Sequence, residues 1–229
     1  MSLKTIINKC EVCKNNYLYQ VLDLGKSPLC DDLIKIGSKK KNINYKIKIL
    51  FCRNCFTAHQ KYQVNKKRLF PLNYHYRAKF TEDVTEGMKD IVNDCHDLLG
   101  SLKNKTILDI GCNDGSLLNF FKKKRALTIG VEPTNASKDA RLNGHKIYSD
   151  FFNLKLAKKI KKKYKKIDII TFTNVFAHIE NLQNLLNSLK KLISDKTIII
   201  IENHYLNSII DKMQFDTFYH EHPRTYSLN

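Results

Sequence analysis

No apolar run in this sequence approaches the ~20 residues that a bilayer span needs, so no segment reads as a membrane helix. The opening stretch MSLKTIINKCEVC is broken by polar residues before it could form the apolar core of a signal peptide, and a cytoplasmic protein is the expectation. An even cysteine count is missing too. Seven cysteines without an export signal fit reduced thiols or metal ligands better than a disulfide framework. Arginine is scarce beside lysine, and no stretch interleaves aromatics with arginine, the pattern of a base-stacking surface. The formal net charge of +18 favours polyanions in general, but no nucleic-acid partner is expected from it.

What is there has to explain that charge. In LKLAKKIKKKYKKID, Ala157, Ile160, Tyr164 and Ile167 recur at spacings of three and four, while Lys155, Lys158, Lys159, Lys162, Lys163 and Lys166 take the other faces. This is an amphipathic helix with a solvated lysine face. At 229 residues and 42% hydrophobic, the chain can bury one good core and a small satellite domain.

Two motifs define the satellite. Cys10 and Cys13 form one C-x-x-C, and Cys52 and Cys55 form another after the strand-like run INYKIKILF. Two thiolates spaced by two residues can ligate one ion on a tight turn, and two such knuckles complete a tetrahedral zinc site. With no water-activating residue evident beside the four thiolates, a closed structural site is expected. Cys30, Cys95 and Cys112 stand alone and read as ordinary small residues.

From about residue 105 strands and helices alternate: TILDI, SLLNFFKKK, LTIGV, ASKDARLN, HKIY, the lysine helix, IDIITF, NLQNLLNSLKKL and TIIII. That order predicts an α/β, Rossmann-like, doubly wound parallel sheet whose ligand lies at the carboxyl ends of the strands. The loop there is DIGCNDGS. Asp109 closes the first strand, and Gly111 and Gly115 let the backbone turn and approach a ligand. A dinucleotide fingerprint would need glycines at 111, 113 and 116, but Asn113 and Ser116 stand there, which disfavours NAD. The loop resembles that of class I S-adenosyl-L-methionine methyltransferases. In those enzymes an acidic residue ending the second strand holds the ribose hydroxyls, and Glu132 of TIGVEPT matches it.

With VLDLGKSPLCDDL, the paired C-x-x-C motifs, ILDIGCNDGSLL, NVFAHI and QFDTFYHEH, the resemblance narrows to the three-domain sugar C-methyltransferases, and it runs along nearly the whole chain. The family implies zinc and S-adenosyl-L-methionine as cofactors, with Asn113, Asp150 and Asn174 joining Asp109, Gly111, Gly115 and Glu132 at the cofactor. It implies a nucleotide-linked keto-deoxysugar as substrate, an acidic small molecule that a basic protein attracts. Methylating carbon needs a base to remove the proton beside the ketone and donors to stabilise the enolate. The resemblance gives these roles to His222 as base, Glu221 as its orienter or a sugar contact, Tyr219 as a donor and His178 as a second histidine, with Tyr74 or Tyr76 closing the site. His220 has no assigned role, and His75 and His145 read as structural.

The expected organisation is a zinc domain over 1–72, a helical linker over 73–100 and a methyltransferase core over 101–229, which ends where the family continues into a third domain. Cys30 departs slightly from the family pattern, where alanine is usual. The stretch RTYSL could add at most one strand to the core sheet, and residues 215–229 are expected to be the least well packed. Two alternatives stand beside this reading. One is a zinc-containing RNA base methyltransferase, against which the Asn-Pro-Pro-Tyr type motif is missing after IDIITF; the other is a truncated, non-catalytic cofactor-binding paralogue. Oligomeric state is not legible in the sequence.

Overall fold

The computed structural model describes residues 5–228, and these form two compact units that interleave along the chain. One takes the described residues up to Pro71, Ala177–Leu182 and the described residues from Asn203 onward; the other takes Leu72–Phe176 and Gln183–Glu202. The contiguous division expected at 72 and 100 follows the chain instead, and its residues 1–4 and 229 lie outside the described ones.

In the first unit β1 (Thr5–Ile6) pairs with β5 (Tyr62–Gln63), while β2 (Tyr19–Ser27), β3 (Tyr45–Cys52) and β4 (Thr57–Gln60) run antiparallel. The expected strand INYKIKILF is β3. Its Tyr45, Ile47 and Ile49 are buried at every second position, the period of a strand with one face on a core. Ile47 and Ile49 pack with Ala58 and Leu206. A short helix, α1 (Lys66–Leu69), follows, with the Asn65 side chain accepting from the Lys67 amide.

The second unit opens with α2 (Glu82–Leu99) and continues as β6 (Thr106–Ile110), α3 (Ser116–Lys123), β7 (Leu127–Val131), α4 (Ala136–Leu142), β8 (Lys146–Tyr148), α5 (Leu154–Lys163), β9 (Ile169–Thr173), α6 (Leu182–Leu189) and β10 (Ile198–Glu202). Its five strands are all parallel in the order β10-β9-β6-β7-β8. The chain moves outward from β6 through β7 to β8, then returns to the other side of β6 as β9. That reversal is the switch point beside which open α/β sheets bind ligands. Strands β6 and β9 are buried throughout, as expected of strands covered on both faces. Helix α5 buries Leu156, Ala157 and Ile160 and turns its lysines to solvent. No helix among the described residues is long and apolar enough to cross a membrane.

After β10 the chain rejoins the first unit through α7 (Leu206–Asp211) and β11 (Arg224–Thr225). The stretch RTYSL, allowed at most one strand of the core sheet, adds none: β11 pairs antiparallel with β4, with Arg224 opposite His59. The expectation that residues 215–229 pack least well holds only at the flanks among the described residues, where Phe215 and Leu228 are exposed; His220 through Thr225 are all buried and Arg224 is fully inaccessible. The sequence pattern missed that buried stretch because its groups are polar, held by specific partners rather than by apolar periodicity.

Candidate active site and metal centre

In the second unit, four adjacent parallel strands deliver the sequence-predicted cofactor residues to one sheet edge. Asp109 lies near the end of β6, Glu132 one residue past β7, Asp150 two past β8 and Asn174 one past β9. Asp109 is buried and accepts a 2.7 Å hydrogen bond from the Thr171 hydroxyl. Burial pushes its carboxyl up to about 7, against the Thr171 bond and with help from the Glu132 charge. Between β6 and α3, Gly111 and Gly115 take φ of 77° and 82°. A side chain at Gly111 would also place its Cβ 2.4 Å from Val175, so glycine is required there on both counts.

The Glu132 side chain is almost buried. One carboxylate oxygen accepts the Asn113 amide at 3.1 Å and the other the Thr134 amide at 2.8 Å. A carboxylate offers roughly four acceptor positions, so two remain for a vicinal pair of hydroxyls. Asn113, itself at φ 48°, ties a second segment to this loop: its side chain accepts the Ala78 amide and donates to the Tyr76 carbonyl, while Asp114 accepts the Lys79 amide. Arg77 fixes the same segment through the carbonyls of Tyr74 and Tyr76 and through Asn135 and Asp139. Tyr74 is half-buried and Tyr76 exposed. Asp150 and Asn174 are exposed, and Asn174 has the left-handed φ of 54°. A buried carboxylate with spare acceptors, beside a glycine loop that admits backbone approach, fits the ribose and methionine portions of S-adenosyl-L-methionine. A lysine-lined groove between β8 and α5, with Lys146, Lys159, Lys162, Lys163 and two tyrosines, includes none of these residues.

In the first unit the two knuckles converge. The sulfurs of Cys10, Cys13, Cys52 and Cys55 all lie within 4.8 Å of one another, with Cys10 to Cys55 at 3.4 Å and Cys13 to Cys52 at 3.6 Å. Tetrahedral zinc with bonds of ~2.3 Å separates its sulfurs by about 3.8 Å, so the four thiolates fit that ion. Without it, burial pushes the Cys10 thiol up to about 12, an unfavourable place for a free thiolate. Further donors surround the sulfurs: the Cys13 amide points at Cys10 at 3.4 Å, the Thr57 hydroxyl stands 3.3 Å from Cys55, and His59 Nε2 stands 3.3 Å from Cys10.

The candidate catalytic histidines, His178 and His222, also lie in the first unit. His222 is buried, with His204 at 4.0 Å, Tyr219 at 4.2 Å and His178 at 5.1 Å between ring centres. Phe70 stacks on His178 at 5.2 Å. His222 Nδ1 lies 2.9 Å from the Thr217 carbonyl. A carbonyl can only accept, so Nδ1 carries the hydrogen and Nε2 the lone pair. Burial, with the mutual repulsion of His178, His204 and His222, lowers both His178 and His222 to about 3, and burial lowers His204 too. The rings are therefore neutral at physiological pH. His220 is also buried, but its Nε2 donates to the Tyr45 carbonyl at 3.2 Å, a strap rather than a chemical group. Glu221 is buried.

Sequence reasoning missed His204, and with it Glu11, His59 and Arg224. His204 lies two residues past β10 and His178 five past β9; reading both strand ends alike would have found it. His59 follows the second knuckle by four residues, and Glu11 stands inside the first.

Comparison with known proteins finds two family models along this chain. A family model described as "Methyltransferase domain" matches residues 80–229, and one described as "Putative zinc binding domain" matches residues 10–70. The first covers more than half of the chain, which belongs to the methyltransferase-domain family. Among curated proteins, the chain is similar to the C-methyltransferase NovU of Streptomyces niveus, at 24% identity over 224 residues, or 97% of this chain and 53% of that one. The chain thus spans about half the length of the curated relative it matches. Among solved structures it is similar to the plantazolicin methyltransferase BpumL in complex with a pentazolic desmethylPZN analog and SAH, at 21% identity and a TM-score of 0.47, covering 60% of this chain and 53% of that one. It is also similar to the PH0226 protein from Pyrococcus horikoshii OT3, at 14% and 0.49, covering 65% and 70%.

Proposed function

We propose that this protein is an S-adenosyl-L-methionine-dependent C-methyltransferase that acts beside the ketone of a nucleotide-linked keto-deoxysugar, in the cytoplasm, with the zinc domain, linker and core divided as the sequence suggests. The observation that carries this reading is His222. Its Nδ1–H is anchored on the Thr217 carbonyl, which leaves Nε2 as an unprotonated nitrogen in an imidazole that burial keeps neutral. A carbon acid requires a base with a free lone pair, whereas an oxygen or nitrogen nucleophile already carries a lone pair of its own.

In this mechanism His222 Nε2 takes the proton beside the ketone, and the C–H electron pair moves into the enolate. Tyr219, whose ring lies 4.2 Å from that of His222, donates to the enolate oxygen, and Glu221 orients the sugar or the base. His178 is the second histidine at the sugar, and Tyr74 or Tyr76 closes over it. When bound, S-adenosyl-L-methionine would supply an electrophilic methyl group, its sulfonium leaving as a neutral thioether. Glu132 would hold its ribose, the 111–115 loop its methionine end, and Asp109, Asp150 and Asn174 the remaining contacts. The four cysteines would hold zinc in a structural role and take no part in the chemistry. The name of the Streptomyces relative, a C-methyltransferase, supports the reaction class, and the sequence resemblance supports the sugar.

The test is proton exchange without methyl donor. Protein given a keto-deoxysugar nucleotide in deuterated water should exchange the proton beside the ketone, and His222→Asn should lose exchange and methyl transfer together. Undiminished exchange in His222→Asn would remove His222 from the role of base. A sugar contact should instead mainly raise the Michaelis constant.

A further inference from the structure

The segment that carries Tyr219 and His222 is bound to the same sheet that carries the second cysteine knuckle, and the attachment passes through a buried polar chain. Strand β4 follows that knuckle directly. Its Gln60 amide donates to the Pro223 carbonyl at 2.9 Å, and its Gln60 side chain to the Tyr219 carbonyl at 3.1 Å. His59 and Arg224 face each other across the β4–β11 ladder. His59 reaches the metal site: its Nε2 stands 3.3 Å from Cys10 Sγ and would be the donor to a metal-bound thiolate, which can only accept. Its other ring nitrogen makes no hydrogen bond and stands 3.7 Å from a Glu11 carboxylate oxygen. That same oxygen accepts from Arg224 Nη1 at 2.7 Å and from the Gln63 side chain at 2.7 Å. Arg224 Nε donates onward to the Tyr226 hydroxyl at 3.0 Å.

Arg224 and His59 are at most 1% exposed. A fully buried guanidinium is costly unless it is paired, and its carboxylate partner, Glu11, lies between the two cysteines of the first knuckle. The pairing therefore depends on the shape of that knuckle. Backbone bonds from Cys10 to Asn15 and from Lys14 to Cys10 close the turn, and ligation would tie it to the second knuckle. The same contacts bear on the opposite end of the chain, 213 residues away, and Arg224 is two residues from His222.

We propose that His59, Glu11 and Arg224 are positioning residues through which metal ligation at the four cysteines fixes the Tyr219–Thr225 segment. The coupling itself stands on these contacts alone; its consequence for catalysis rests on the proposed role of His222. Metal loss then releases the strand that holds His222 while leaving the second unit's S-adenosyl-L-methionine residues as they are.

The test uses the full zinc-loaded chain and three readouts, none of which involves methyl transfer. The first is the rate of zinc release to a chromogenic chelator. His59→Leu should release metal about 10- to 100-fold faster, the usual effect of losing a partner that orients a ligand, and His59→Gln, which keeps a side-chain N–H, should recover most of the difference. The second is the absorption spectrum of the cobalt(II)-substituted protein. Thiolate-to-metal charge transfer should move to lower energy in His59→Leu and return in His59→Gln, which a merely destabilised fold would not produce. The third is amide hydrogen exchange. Chelation of the wild-type protein should accelerate exchange at residues 222–225 at least tenfold and leave β6 and β7 unchanged, and Glu11→Gln should accelerate the same amides with zinc still bound. Should His59→Leu fail to fold, Glu11→Gln decides, since it removes the charge while keeping the side chain's shape. Unaltered exchange at 222–225 after complete zinc removal would overturn the proposal, as would wild-type release and cobalt spectra in His59→Leu.

Discussion

Replacing Glu132 by glutamine tests the cofactor end of the site with the smallest change of shape. Each carboxylate oxygen accepts one backbone amide, from Asn113 at 3.1 Å and Thr134 at 2.8 Å. Glutamine preserves one of these acceptors and turns an NH2 group toward the other amide, so that two donors face each other. A ribose held by Glu132 would also lose one charged acceptor. A hydrogen bond to a charged group is worth about 1.5–3 kcal/mol, which corresponds to roughly 10- to 150-fold weaker binding at 1.36 kcal/mol per decade. The displaced amide adds about 1–3 kcal/mol of instability in the apoprotein, the ordinary penalty of an unsatisfied buried donor. Calorimetric titration with S-adenosyl-L-methionine and with its demethylated product separates the two effects when paired with denaturant unfolding. Both ligands should weaken alike, because neither the ribose nor Glu132 distinguishes them. Wild-type affinity in Glu132→Gln would place the ribose elsewhere, and a loss confined to the methyl donor would mean that Glu132 senses the sulfonium charge rather than the hydroxyls.

Gly111→Ala should destabilise the protein by about 1–3 kcal/mol, because alanine at φ 77° is strained and its Cβ meets Val175 at 2.4 Å; an unchanged urea midpoint would contradict the placement of that loop. Purified protein should carry about one zinc per chain, and Cys52→Ser should lose it and lower the unfolding midpoint, since such sites couple binding to folding; full stability after exhaustive chelation would argue against a structural metal. Acid should destabilise the fold. His178 and His222 are lowered to about 3 when folded and titrate near 6.5 when unfolded, so the unfolded chain binds more protons between those values. The stability they contribute is present above about pH 6.5 and is lost as pH falls toward 3; unfolding curves that are flat from pH 7 to 4 would refute it. By the same shift, kcat/KM should show no acid limb near pH 6.5 while the fold persists, whereas an ordinary exposed histidine base would produce one.

The parallel sheet was legible because its signals are local. TILDI, LTIGV and IDIITF are short apolar runs between amphipathic helices, and each became a buried strand in its expected place. The paired C-x-x-C motifs were legible for the same reason, since each knuckle is four residues long. The interleaving of the two units was not. It depends on which surface the chain meets when it leaves β9 and β10, and Ala177–Leu182 and Asn203–Leu206 carry no periodicity that announces a change of partner.

The same difference explains which site residues could be read. Glu132 and Asp109 are recognisable because a carboxylate at the end of a strand has a local reason to be there, and Cys10 because its partner is three residues away. His59, Glu11 and Arg224 become meaningful only as a set, from positions 48 and 213 residues apart along the chain, and each alone looks like a surface charge. Burial changes their status: a guanidinium with no exposed surface must have a reason that its own neighbourhood in sequence cannot supply. Tyr219 to His222 occupy the middle ground. The run of four polar side chains was visible and its chemistry arguable, but not why it should be buried; the Gln60, Tyr45 and Thr217 bonds supply the answer, since each saturates one backbone or ring group of the segment. With those groups satisfied, the side-chain atom of His222 that remains able to accept a proton is Nε2. The buried polar segment is thus consistent with stability and chemistry at once: the bonds that make its burial tolerable also fix the tautomer that a base requires.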